Sequence, residues 1–183
     1  MKNKNIKPLR DKTPVIGKNC FIAETATIIG DVEIEDNCSI WYGAILRGDV
    51  GTIKIGKDSN IQDGAIVHST YNISSVKIGK RVSIAHGAII HGCIIEDDVL
   101  VGMGAIVMDN AVLKSHSIIA AGAVVPAKMI CESGWIYAGI PAKKIKKPDE
   151  STMHDFFKQT PENYKKYSKW YLNEGYGNKK SGY

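Results

Sequence analysis

The chain has 183 residues, of which 44% are hydrophobic and 23% are charged, with 18 Gly and only 6 Pro. This composition is typical of one globular domain with a modest appendage, and it excludes a disordered or collagen-like chain. The net charge of +5 results from 24 Lys and Arg against 19 Asp and Glu; because the excess lies near the two ends, we interpret it as solvated tails rather than a nucleic-acid-binding surface.

These basic groups are Lys2, Lys4 and Lys7 near the start, and Lys143, Lys144, Lys146 and Lys147 further on. The first six residues contain no apolar signal core, and no stretch of 18 apolar residues occurs. We therefore expect a cytoplasmic protein that neither spans a membrane nor binds nucleic acid. Four widely spaced cysteines without a C-x-x-C pair argue against a zinc ribbon or a disulfide framework.

A six-residue period runs through most of the chain. Branched aliphatic residues recur at this spacing in four runs: Ile16, Ile22, Ile28, Ile34, Ile40 and Leu46; Ile55, Ile61 and Val67; Ile78, Ile84 and Ile90; and Ile95, Val101, Val107, Leu113, Ile119 and Val125. Neither an α-helix nor a hairpin sheet has this period. A short strand and a turn in every six residues close a triangular coil after three repeats, so the sequence predicts a parallel β-helix of roughly six rungs.

The period is interrupted at three places. Nine residues separate Leu46 from Ile55, eleven separate Val67 from Ile78, and five separate Ile90 from Ile95. A coil of this kind tolerates insertions only at its corners. Polar residues cluster at these interruptions, and we look for functional residues there.

Beyond Val125 the repeat stops, and residues 134–141 are interpreted as an irregular cap. Thr160 as N-cap, followed by Pro161, predicts the start of a C-terminal α-helix. The sequence thus predicts a β-helix with its cap over residues 10–147 and a helical appendage with a tail over residues 148–183. The helix carries an aromatic stripe that we expect to pack on the coil or on a neighbouring subunit: Tyr164, Tyr167, Trp170 and Tyr171.

Three of the five histidines lie close together in the sequence. His68 and His86 are 18 residues apart, one predicted rung, and are expected near the same edge of the prism. His91 follows His86 by five residues, which span up to about 16 Å when extended, whereas two ligands of one zinc ion lie about 3–4 Å apart. Two chains can bring them together more easily than one, so the spacing suggests metal sites between the subunits of a homotrimer. Surface histidines on turns are the alternative.

Further polar residues flank the interruptions. Arg47 and Asp49 alternate along an extended segment and point the same way, so a neighbouring subunit could pair with either. Asn60, Gln62 and Asp63 follow Arg47 by close to one rung and could gather near His68. These groups fit either a structural ion pair or a catalytic role.

Five segments together resemble the γ-class carbonic anhydrase-like family of hexapeptide-repeat proteins, over about residues 10–147. They are Leu46-Arg47-Gly48-Asp49, the segment from Asn60 to His68, the segment from Ile84 to Cys93, Val101-Gly102-Met103-Gly104-Ala105, and the segment from Ala138 to Lys143. The resemblance implies an all-β fold, a left-handed parallel β-helix of hexapeptide repeats with a C-terminal α-helix, assembled as a homotrimer.

The resemblance also implies a metal centre between subunits, with zinc, or ferrous iron in anaerobic settings. His68 and His91 would come from one chain and His86 from its neighbour. Three imidazoles with an open fourth position are typical of catalytic zinc. The implied reaction is the reversible hydration of carbon dioxide to bicarbonate by metal-bound hydroxide.

Other site residues are assigned by the same resemblance. Arg47 and Asp49 would pair across the interface, and Arg47 could hold the anionic product. Gln62 and Asp63 would orient metal-bound water or bicarbonate, and Tyr137 would lie near the metal.

The sequence departs from the archetype of this class in two places. Val50 stands where the archetype has a Glu for proton transfer, and the loop at residues 69–75 lacks the acidic insertion that carries a proton-shuttle Glu. Fast hydration needs a proton route. The alternatives are a metal-dependent esterase or thioesterase, a hexapeptide-repeat acyltransferase, which should work after chelation, and a non-catalytic trimeric module, which should lose its trimer with the metal.

Overall fold

The hexapeptide repeat folds as short parallel strands, three to a turn, in a computed structural model that describes residues 4–177. Lys2 of the basic N-terminal group and the last six residues of the predicted tail lie outside the described residues. The fold is a left-handed β-helix of about seven turns followed by one C-terminal helix, which confirms the predicted fold class. Within residues 4–177, no helix is both long and apolar enough to cross a membrane.

The strands, in chain order, are β1 (Ile6–Lys7), β2 (Val15–Ile16), β3 (Phe21–Ile22), β4 (Thr27–Ile34), β5 (Ser39–Ile40), β6 (Ile45–Ile55), β7 (Asn60–Ile61), β8 (Ile66–His68), β9 (Val76–Ile78), β10 (Ser83–Ile84), β11 (Ile89–His91), β12 (Ile94–Ile95), β13 (Leu100–Val101), β14 (Ile106–Val107), β15 (Val112–Leu113), β16 (Ile118–Ile119), β17 (Val124–Val125), β18 (Ile130–Cys131), β19 (Ile136–Ala138) and β20 (Lys143–Lys146).

These strands stack into the three faces of a prism. Face 1 contains β1, the first halves of β4 and β6, and then β8, β11, β14 and β17. Face 2 contains β2, the second halves of β4 and β6, and then β9, β12, β15 and β18. Face 3 contains β3, β5, β7, β10, β13, β16 and β19, and the antiparallel strand β20 closes it.

The aliphatic residue of each repeat points inward and stacks on its counterpart in the next rung. On face 3 this column is Ile22, Ile40, Ile61, Ile84, Val101, Ile119 and Tyr137. All seven side chains are buried. The sixfold period is therefore the spacing of the core, and Tyr137 occupies its last position on this face.

The rungs differ in length because extra residues leave the coil at its corners. Ile28 pairs with Leu46 after 18 residues, but Leu46 pairs with Val67 after 21 and Val67 pairs with Ile90 after 23. His68 is consequently in register with His91. The prediction that His68 and His86 lie near the same edge of the prism is wrong, because the loop at residues 69–75 lengthens this rung.

The C-terminal helix begins earlier than predicted. It comprises α1 (Glu150–His154), a π-helical turn (Asp155–Gln159) and α2 (Thr160–Asn173), with Asp149 as the N-cap, whose side chain accepts a hydrogen bond from the Thr152 N–H at 2.8 Å. Thr160 caps nothing, since its hydroxyl donates to the Asp155 carbonyl at 2.9 Å. The helix covers face 3 through its aromatic residues, as predicted: the Tyr171 ring lies 5.5 Å from Phe21.

Truncation of one inward residue tests this core. We expect Ile84→Ala to lower the free energy of unfolding by about 2–5 kcal/mol, because the fully buried side chain leaves a cavity between two rungs. The control is Ile130→Ala on face 2, where the side chain is 61% exposed and a change within about 0.5 kcal/mol is expected. Urea unfolding at one fixed protein concentration measures both, and equal losses would contradict the assignment of the core.

Candidate metal centre

Two of the three predicted metal ligands lie side by side on the outer surface of face 1. His68 ends β8 and His91 ends β11, and the inward residues before them, Val67 and Ile90, anchor both strands in the core. Because side chains alternate along a strand, both imidazoles point outward. His68 Nδ1 lies 3.3 Å from His91 Nε2.

A carboxylate fixes the orientation of the first ring. Asp49 Oδ1 lies 3.0 Å from His68 Nε2, and the Arg47 guanidinium donates to the other carboxylate oxygen. Partial burial acts to raise the pKa of Asp49, but the hydrogen bonds from Arg47 and His68 outweigh it, and the pKa is lowered. The ionised carboxylate accepts the Nε2 proton of His68 and leaves a lone pair on Nδ1.

The second ring is held in the same way by a different rung. Asp109 Oδ2 lies 2.9 Å from His91 Nδ1, and Asp109 Oδ1 accepts a hydrogen bond from the Ser74 hydroxyl at 2.5 Å. Burial acts to raise the pKa of Asp109, but hydrogen bonds from Ser74, His91 and Thr70 lower it overall. His91 therefore carries its proton on Nδ1 and a lone pair on Nε2.

The two free lone pairs face each other, which is the arrangement of a metal site. Two nitrogens bound tetrahedrally at 2.0–2.1 Å from one zinc ion lie about 3.4 Å apart, close to the 3.3 Å between His68 Nδ1 and His91 Nε2. Two acceptors at this distance repel each other unless a cation lies between them. Carboxylates behind metal-binding imidazoles are also the usual outer-shell partners. The residues present therefore fit a divalent metal ion.

His86 lies at the other edge of face 1, two residues after the end of β10. Its Nδ1 is 2.9 Å from Asp63 Oδ2, its side chain is 48% exposed, and the Tyr164 hydroxyl lies 3.4 Å from its Nε2. Within residues 4–177 of one chain, no group of three or more His, Cys, Asp or Glu side chains could hold a metal ion. A single chain thus offers a pair of ligands at one edge and one ligand at the other.

The remaining predicted site residues lie in different surroundings. Arg47 and Asp49 pair with each other within one chain. Asp63 contacts His86 rather than His68. Gln62 is 4% exposed, and its amide donates to Asn60 Oδ1 at 2.9 Å.

Tyr137 does not lie beside the histidines of its own chain. Its ring is in the core, and its hydroxyl accepts a hydrogen bond from the Glu132 N–H at 2.8 Å. β19 stands three strands beyond β10 on face 3, which is about 14 Å along the coil. Within its own chain Tyr137 fills the inward position of a repeat, and its place near a metal held between subunits stays a prediction.

Three residues of this region were missed by the sequence analysis. Asp109 stands 18 residues after His91, so the rung spacing itself could have found it. Ser74 belongs to a loop outside the period and gives no such signal. Tyr164 was assigned to packing, and its ring does lie 5.3 Å from Trp41, but its hydroxyl also reaches His86.

Known proteins are similar to this chain in both sequence and fold. The model of the family described as bacterial transferase hexapeptide (six repeats) matches residues 13–48 and 92–127. The mitochondrial gamma carbonic anhydrase 2 of Arabidopsis thaliana is 39% identical in a 160-residue alignment that covers 84% of this chain. The chain spans only 57% of that protein's length. Protein YrdA of Escherichia coli strain K12 is 37% identical over 176 residues, covering 93% of this chain and 95% of YrdA. The crystal structure of a hexapeptide transferase family protein from Anaplasma phagocytophilum is 42% identical, with a TM-score of 0.87 over 91% of this chain and 97% of that one.

Metal binding can be measured for each histidine separately. We expect the protein to bind one zinc ion per chain, and His68→Ala, His86→Ala and His91→Ala each to lose this stoichiometric binding, because each removes one of three ligands. His116→Ala, which lies outside the site, is the control and should bind like the wild type. Metal content after dialysis and circular dichroism of each variant give the readout. A His86→Ala or His91→Ala variant with full metal content would contradict the three-histidine site.

Proposed function

Because the chain belongs to the γ-carbonic anhydrase-like family of hexapeptide-repeat proteins, we propose that it is a metal-dependent enzyme that reversibly hydrates carbon dioxide. The observation that carries the proposal is the pair of imidazole nitrogens 3.3 Å apart, on two rings that are each oriented by a carboxylate. His68 and His91, together with His86 of the partner subunit, would hold the metal. When bound, zinc supplies the Lewis acidity that lowers the pKa of a water ligand to about 7.

The outer surface of face 1 supports a homotrimer. Between its two edges runs an apolar row in strict register: Ile45, Ile66, Ile89, Ile106 and Val124. Ile45 and Ile66 are 37% and 38% exposed in the single chain. Such a row gains free energy when a second copy covers it. A neighbour packed there would bring its His86 edge towards the pair formed by His68 and His91.

Several side chains have defined tasks in this proposal. Asp49 and Asp109 hold the imidazole protons away from the metal, and the Arg47 guanidinium, 45% exposed, is available to bicarbonate. Burial, and next the negative charge of Asp63, raise the pKa of Tyr164 to about 12. Its phenol therefore stays protonated near neutral pH. Because Asp63 holds His86 Nδ1, the hydrogen bond from Tyr164 to His86 Nε2 has to open before that nitrogen binds a metal ion.

The carboxylates closest to the histidine pair are poorly suited to carry the product proton away. Asp49 and Asp109 are tied to histidines and have lowered pKa values, so neither is matched to proton transfer near pH 7. Val50 and the loop at residues 69–75 contribute no carboxylate. We infer that hydration here depends on buffer to carry the proton.

A charge in the apolar row tests the trimer. We expect Ile66→Glu to shift the protein from trimer to monomer, because the carboxylate would be desolvated in the interface. Ile130→Glu, on the exposed surface of face 2, is the matched control and should remain trimeric. Analytical ultracentrifugation of both variants gives the masses. A trimeric Ile66→Glu would place the interface elsewhere.

Stopped-flow hydration of carbon dioxide tests the activity. Protein loaded with zinc, or with ferrous iron under anaerobic conditions, should exceed a His91→Ala blank, and its rate should rise severalfold with imidazole buffer concentration, because buffer replaces the missing proton carrier. Thiolester and ester substrates are assayed in parallel. A fully metallated trimer with a hydration rate equal to the blank would contradict carbonic anhydrase activity and favour a metal-dependent hydrolase.

An acyltransferase is the second candidate, because the related Anaplasma protein is described as a hexapeptide transferase family protein. If this chain is an acyltransferase, its activity should persist after a chelator removes the metal. Acyl transfer from acetyl-CoA that persists after chelation would favour an acyltransferase over an enzyme that hydrates carbon dioxide.

A further inference from the structure

A series of hydrogen bonds connects His91 to the loop at residues 69–75, which follows the neighbouring strand β8. The Thr70 N–H donates to Ser74 Oγ at 3.0 Å, the Ser74 hydroxyl donates to Asp109 Oδ1 at 2.5 Å, and Asp109 Oδ2 accepts the proton of His91 Nδ1 at 2.9 Å. Both carboxylate oxygens of Asp109 are therefore used, one by the loop and one by the imidazole.

These hydrogen bonds have room to form because residue 92 is a glycine. A Cβ atom at Gly92 would lie 2.1 Å from Ser74 Oγ and 2.3 Å from Asp109 Oδ1. Gly92 also has a φ of +59°, which side-chain-bearing residues rarely adopt. The residue directly after the metal ligand thus admits the serine and the aspartate to the same corner.

The loop that carries Ser74 also forms one wall of a cavity of about 380 Å³. Its other walls include Val50, Gly92, Ile94 and Asn110, so the cavity adjoins the same corner. The position of the loop decides the shape of this cavity.

We propose that Asp109 and Ser74 are positioning residues for His91 and that they couple the order of the loop at residues 69–75 to metal occupancy. The inference rests on the proposed metal site. A metal ion at His91 Nε2 makes the Nδ1 proton a stronger donor to Asp109, and Asp109 in turn holds Ser74 and the loop. By linkage, an ordered loop strengthens metal binding by the same factor as metal binding strengthens the loop.

Zinc affinity provides the first readout, by competition with a chromophoric chelator at constant pH. Asp109→Asn should weaken zinc binding by about 10–100-fold, as loss of an outer-shell carboxylate does. Ser74→Ala should weaken it by a smaller factor, since Asp109 remains. Ser75→Ala, in the same loop and against the same cavity, is the matched control and should bind like the wild type.

Hydrogen exchange of the loop amides provides the second readout, which a purely structural role would not change. In the wild type and in Ser75→Ala, zinc should slow the exchange of residues 69–75. In Ser74→Ala the loop should exchange equally with and without zinc.

The outcomes separate the two proposals. A wild type that binds no zinc overturns the metal site and the inference with it. A wild type that binds zinc, with Asp109→Asn and Ser74→Ala matching it in affinity and in zinc-dependent loop protection, overturns the inference alone. Circular dichroism confirms that each variant is folded, and Asp109→Asn decides the affinity question should Ser74→Ala fail to fold.

Discussion

The stacking of buried aliphatic side chains from rung to rung is the constraint on which the rest of this structure depends. Each inward residue is in contact with its counterparts above and below, and the parallel hydrogen bonds between strands keep all of them in register. A shift of one residue would turn the whole inward column outward. Residues that exceed the repeat must therefore leave the coil at a corner, and two of these excess segments lie beside the histidine pair. Asp49 belongs to the first such excess, and His68 directly precedes the second.

The electrostatics of the site follow from this placement. The carboxylates of Asp49 and Asp109 approach the histidine pair from two different rungs, and each uses one oxygen to hold an imidazole proton. Their two negative charges are compensated by Arg47 on one side only. The site as a whole is therefore short of positive charge, at the point where two nitrogen lone pairs meet. A divalent cation satisfies both the charge and the lone pairs, which is why the metal assignment rests on more than the count of histidines.

The repeat made most of the fold predictable, and its exceptions explain what was not. Uniform rungs place an inward residue at every sixth position, and the structure buries all of the predicted positions except Ile16, which is half-buried against the core. The partnership of His68 with His91 could not be read from uniform rungs, because it depends on whether the segment between Val67 and Ile78 forms an additional repeat or an expelled loop. Thr160 and Pro161 are typical of a helix start, but the helix begins eleven residues earlier, with its N-cap at Asp149. The packing of aromatic residues on face 3 stabilises the longer helix. Contacts between distant segments, such as that of Tyr164 with His86, have no local sequence signal at all.

The width of face 1 explains why one chain does not complete the site. β11 is extended because it is hydrogen-bonded to β8 on one side and to β14 on the other, so it cannot contract. It separates His86 from His91 by the length of a strand, whereas a shared metal ion requires ligands a few ångströms apart. Repacking of side chains cannot close such a gap, but the meeting of two edges from different copies can. In the proposed trimer, metal binding and association would be linked, and each would stabilise the other by mass action. Under the proposed function, assembly is therefore the step that would bring the third ligand to the pair.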